Sequence, residues 1–282
     1  MTEGETPKSA AAPMRDLGQR IASGAALALV VLGALWAGVL PFAIVVGAVG
    51  VVVTWEWGRI VRSAGVDAIL VIQAVAVAAA ALLAARGLAG LGFVLVIVAA
   101  IISALLAFGE RGHMAAFGAL YAGLPAVSLV WLHHDGAAGF LAVLFLLLTV
   151  WGTDTGAYFT GRLIGGPKLI PLVSPNKTWS GLAGGIIAGS LIGLAFALVR
   201  SELSFGYMML AGALLGAVSQ AGDLLESALK REYGVKDASA LIPGHGGFMD
   251  RIDGLSAAVV AAAIFAMAVD IQAPARALLG LN

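Results

Sequence analysis

The chain has 282 residues, 61% hydrophobic and 11% charged, with zero formal net charge and a mean hydropathy of +1.00. A soluble domain has about a quarter charged residues, and no compact core could bury this much apolar sequence, so most of the chain must face lipid or other lipid-embedded helices. The absence of cysteine excludes disulfides, thiolate metal centres and a cysteine nucleophile, while the balanced charge excludes no class of partner.

In chain order, residues 1–20 form a polar tail with Lys8, Arg15 and Arg20, expected to be disordered. Apolar runs of about 17–25 residues suit a bilayer crossing. They predict about nine spans, near 22–40, 41–59, 67–85, 89–108, 117–132, 138–158, 180–199, 206–228 and 254–272. The fold class is therefore an all-α polytopic membrane protein. Its expected parts are the tail, N-terminal helices over 21–140 and a catalytic membrane region over 141–282. Pro125 predicts a kink in the fifth span.

With a cytoplasmic N-terminus, 13 of the 16 lysines and arginines fall on the inner side; Arg86, Arg200 and Arg276 do not. That asymmetry follows the positive-inside rule. Glu56, between Trp55 and Trp57, reads as part of an interfacial anchoring belt. His133, His134 and Asp135 read as an outer loop. Gly181, Gly185, Gly189 and Gly193 make a ridge on which another helix can pack, within one subunit or between two.

Two polar islands interrupt the apolar pattern. The first runs from Thr153 to Ser180 and holds Asp154, Arg162, Lys168, Ser174, Asn176, Lys177 and Thr178. Hydroxyls, an amide and an ammonium in one loop suit phosphate or nucleotide contacts, although Arg162, Lys168 and Lys177 also suit anionic lipid. Asp154 is a candidate metal or ribose ligand, or a partner for Arg162.

The second island, Asp223 to Asp253, carries ten of the 32 charged residues. An ionised Asp223 within an apolar run is costly unless partnered or facing water. Asp223, Glu226, Ser227 and Lys230 fall on one helical face. Asp250 and Asp253, three apart, point the same way in a helix, while Arg251 is free to face elsewhere. Clustered carboxylates without thiols or grouped histidines suit a hard cation such as Mg²⁺. Pro243-Gly244-His245-Gly246-Gly247 is a glycine turn that suits either an anion or a plain loop. Together the islands fit metal-assisted phosphoryl or nucleotidyl transfer at a membrane surface.

The 27 residues from Ser227 to Asp253, SALKREYGVKDASALIPGHGGFMDRID, resemble the signature of the phosphatidate cytidylyltransferases, or CDP-diacylglycerol synthases, without departure. The Ser174-Pro-Asn-Lys-Thr-Trp179 run and the Asp154 region resemble that family too, so the likeness covers roughly 150–270. The resemblance implies transfer of a cytidylyl group from CTP to phosphatidic acid, giving CDP-diacylglycerol and pyrophosphate. It implies Mg²⁺, with one or two ions, and a homodimer in the cytoplasmic membrane with its site facing the cytoplasm. The expected partners are CTP, phosphatidic acid and membrane lipids, with no nucleic acid. Asp223 and Asp250, then Asp253, are the implied metal ligands. Asp223, Asp250, Lys230 and Arg231 are the implied catalytic set. Ser227, Lys236, His245, Asn176, Lys177 and Arg251 are the implied substrate contacts. A CTP-dependent lipid kinase and an ion transporter remain the rival readings.

Overall fold

The computed structural model describes residues 11–109, 112–242 and 246–281. It contains ten helices and one small hairpin among those residues. They are α1 (Ala11–Ala37), α2 (Val39–Arg62), α3 (Ala68–Ala85), α4 (Ala89–Ala107), α5 (Gly112–His133), α6 (Gly136–Leu163), β1 (Lys168–Ile170), β2 (Ser174–Thr178), α7 (Trp179–Val199), α8 (Phe205–Glu232), α9 (Met249–Val269) and α10 (Pro274–Leu279).

Eight of these helices, α2 to α9, are long and apolar enough to cross a membrane. The first expected span falls mostly within α1. Among the described residues its apolar part is Ala22–Ala37. Residues 11–20 of the expected polar tail belong to α1, and residues 1–10 lie outside the described residues.

Helices α2 to α5 pack together, α6 to α9 form a second group, and α5 joins the two by packing on α6 and α9. α5 is the innermost helix and keeps Pro125 within its run. A core of Leu35, Phe42, Val127, Leu132, Phe145, Leu146, Met208 and Val259 ties the groups together. A smaller cluster beneath the site joins α2, α3 and α5 to the start of α9 through Val53, Trp57, Val77, Ala122, Ala238 and Met249. Trp36, Leu29, Leu105 and Leu198 stay exposed, as lipid-facing side chains do.

The α7 glycine ridge is buried within the chain. A Cβ at Gly181 or Gly185 would lie 3.0 Å from the Ala157 or Thr153 carbonyl oxygen of α6, and one at Gly193 would overlap the Met208 carbonyl of α8. Small residues thus let three backbones approach closely, and the within-subunit reading of the ridge holds.

A β hairpin, which the apolar pattern does not signal, precedes α7. Lys168 pairs with Thr178 and Ile170 with Ser174, antiparallel. The hairpin ends directly on α7, where the Thr178 hydroxyl accepts the Gly181 N–H at 3.0 Å as an N-cap.

Candidate active site

Both polar islands open onto one cavity of about 830 Å³. α6 contributes Asp154, Tyr158 and Arg162; the hairpin contributes Lys168, Asn176 and Lys177; α8 contributes Gln220, Asp223 and Lys230; α9 and the loop before it contribute Asp237, Asp250, Arg251 and Asp253. The helices carry their polar residues at the ends that meet here: the C-terminal turns of α6 and α8 and the first turns of α9.

Cations and carboxylates alternate around the wall. Lys177 reaches from β2 to Asp223, with Nζ 2.7 Å from Oδ2, and donates to the Gln220 carbonyl at 3.5 Å. Ser227, one turn on, donates to Asp223 Oδ1 at 3.3 Å. Lys230 Nζ sits 2.7 Å from Glu226 Oε2 and 2.6 Å from Asp250 Oδ1. Glu226 is almost wholly buried, so Lys230 carries two desolvated carboxylates. The other Asp250 oxygen, Oδ2, accepts the Ala238 N–H at 3.0 Å and the Gly247 N–H at 2.8 Å. Asp253 Oδ1 accepts the Gly254 N–H at 2.7 Å, and Asp154 Oδ1 accepts from Gln220 Nε2 at 3.3 Å.

Residues 18–269 match the sequence profile of the "Cytidylyltransferase family". The chain belongs to that family. A phosphatidate cytidylyltransferase of Brucella suis biovar 1 (strain 1330) is 41% identical over 256 residues, covering 89% of this chain and 94% of its own length. The phosphatidate cytidylyltransferase of Bacillus subtilis (strain 168) is 33% identical over 253 residues, covering 85% and 94%. That of Haemophilus influenzae (strain ATCC 51907 / DSM 11121 / KW20 / Rd) is 45% identical over 144 residues, about half of each chain (49% and 50%).

For this cytidylyltransferase-family chain, the fold gathers Asp223, Asp250, Asp253, Lys230, Asn176, Lys177 and Arg251 at the cavity. Arg251 lines it instead of facing elsewhere on α9. Ser227 stands behind Asp223. Arg231 and Lys236 are exposed outside the lining, and Arg231 Nε donates to the Val173 carbonyl at 3.4 Å. His245 lies outside the described residues. Arg162 donates to the Tyr158 hydroxyl at 2.7 Å and stacks over that ring, so the alternative pairing of Asp154 with Arg162 is replaced by Asp154 with Gln220.

Glu56 is not in an interfacial belt: it is fully buried, and so is Trp57, whose indole N–H donates to the Met114 carbonyl at 2.8 Å. His133 is the buried last residue of α5, edge-on to Phe42 at 5.0 Å, not part of an outer loop. Asp135 accepts the Ala275 and Arg276 N–H groups at 3.0 and 3.1 Å and so ties down the start of α10.

Gln220 and Glu226 escaped the sequence reading as site residues. Gln220 lies three residues before Asp223 on the same face, so the helical offset that grouped the acids also points to it. Among the described residues no three acidic or histidine side chains already form a metal centre. Mg²⁺ asks for less: it keeps several waters and takes one or two carboxylates plus substrate phosphates. The oxygen-only donor set of Asp223, Asp250 and Asp253 fits that requirement.

Proposed function

We propose that the chain transfers the cytidylyl group of CTP to phosphatidic acid, giving CDP-diacylglycerol and pyrophosphate. The observation that carries the reading is the single cavity in which Lys177, Lys230, Asp223, Asp250 and Asp253 meet. Two anionic substrates repel each other, and a wall of alternating cations and carboxylates can hold both, the second through a metal. The relatives' shared name, phosphatidate cytidylyltransferase, supplies the identity of the lipid and the nucleotide.

Asp223, Asp253 and Asp250 through Oδ1 would hold Mg²⁺, which when bound neutralises charge on the CTP phosphates. Asp250 Oδ2 is committed to two backbone N–H groups, so Oδ1, which now faces Lys230, is its available oxygen. Lys177 and Lys230 bind phosphate oxygens, and Arg162, Lys168 and Arg251 at the wall orient the second anion. A phosphatidate oxygen attacks the CTP α-phosphorus. The bond from that phosphorus to the α–β bridging oxygen breaks, and pyrophosphate leaves with the electron pair. A phosphate monoester is already largely ionised near neutral pH, so no side chain is needed as a general base. Ala157, Leu169 and Leu182 are apolar members of the wall, suited to the diacylglycerol body. The site faces the cytoplasm, where the nucleotide is, and the chain works as a homodimer in the cytoplasmic membrane.

Detergent-solubilised protein given labelled CTP, phosphatidic acid and Mg²⁺ should release pyrophosphate and label the lipid. Label confined to CDP, with a newly phosphorylated lipid, would favour the kinase reading instead. Turnover that survives complete removal of divalent cations would remove Mg²⁺ from the account.

A further inference from the structure

Glu56 sits in α2, within the half of the chain that supplies nothing to the cavity wall. Its side chain is 0% exposed. Oε1 accepts the Ser239 hydroxyl at 2.5 Å and the Phe248 N–H at 3.0 Å, and Oε2 accepts the Met249 N–H at 2.7 Å. Both N–H groups belong to the start of α9, which bears Asp250 and Asp253.

The surroundings fit a fixed joint. A Cβ on Gly247 would lie 2.5 Å from Glu56 Oε1 and 3.0 Å from the Ala238 Cβ, so a side chain there would displace the carboxylate. Gly246 holds φ +83°, a left-handed backbone suited to glycine. The Gly247 N–H then points to Asp250 Oδ2. Met249, fully buried beside Trp57, packs the same joint from below. An unpaired carboxylate here would be costly to bury, whereas one accepting three charge-assisted hydrogen bonds anchors its donors firmly.

We infer that Glu56 is a positioning residue: it fixes Ser239 and the first turn of α9, and through them the orientation of Asp250 and Asp253. The inference rests on the reading of those two aspartates given above. The N-terminal helices are therefore part of the catalytic apparatus, acting through this carboxylate. Removing groups that orient ligands typically costs about 10–100-fold in activity or metal affinity.

The test uses the full chain with Glu56→Gln, Glu56→Ala and the milder Ser239→Ala. Hydrogen–deuterium exchange of residues 246–252 is followed beside kcat, KM for CTP and the Mg²⁺ activation midpoint. Faster exchange confined to 246–252 is expected in both Glu56 variants. With it, kcat should drop about tenfold or more, the Mg²⁺ midpoint should rise, and KM for CTP should change little. Ser239→Ala should show the same pattern, smaller, and it serves as the test if the Glu56 variants do not fold. Unchanged exchange in 246–252, or unchanged kcat and Mg²⁺ midpoint per folded molecule, overturns the inference. Wild-type protein without the cytidylyl transfer would instead overturn the substrate reading, and the exchange comparison would still decide the role of Glu56.

Discussion

Lys230 is held between Glu226 and Asp250, whose side chains are 1% and 7% exposed. Its ammonium therefore does structural work. Taking one partner out of a buried ionic group leaves the others uncompensated and costs about 3–5 kcal/mol. Lys230→Met should lower the unfolding temperature in detergent as well as abolish turnover. Adding Glu226→Gln to that variant should restore part of the stability and none of the activity. Equal stability of Lys230→Met and wild type would mean that water already reaches both carboxylates. Lys177 differs, because Asp223, its ion-pair partner among the described residues, lies on the open cavity.

At the level of helices, the close passage of α7 between α6 and α8 brings the hairpin over α8. Lys177 is carried by that hairpin, so its reach to Asp223 depends on how near α7 lies to its neighbours. Gly193→Ala forces the Met208 carbonyl region of α8 outward, and overpacking of this kind costs about 1–3 kcal/mol. Gly206→Ala, on the same helix α8 but with nothing within 4 Å of an added Cβ, should change stability by less than about 0.5 kcal/mol. Thermal unfolding of both in one detergent checks the contrast. Equal effects would show that the ridge is not a tight crossing. The helix bounds also explain where hydropathy misleads. Apolar windows stop where charge begins, but α6 continues to Leu163 and α8 to Glu232, and α9 starts at Met249, ahead of its apolar run. The site is built from those polar ends.

Across the whole molecule, the membrane-spanning architecture was legible because length and hydropathy alone demand it. The acidic and basic groups of the site were legible too, since charge inside an apolar chain stands out. What joins them was not. Lys177 and Asp223 are brought together only by the hairpin and the α6–α7–α8 packing, neither of which leaves a periodic signal. Glu56 meets Phe248 across 192 residues of sequence, and its two neighbouring tryptophans give a pattern that suits an interface equally well.

Both polar islands line one cavity, and joint action of the two is open to a direct test. A double-mutant cycle on kcat/KM with Lys177→Met, Asp223→Asn and the pair measures whether they act together. The 2.7 Å contact predicts that the double variant loses far less than the product of the single losses, a coupling of about 1 kcal/mol or more. Single effects that add to within about 0.5 kcal/mol would mean that the islands work independently, and would contradict the account.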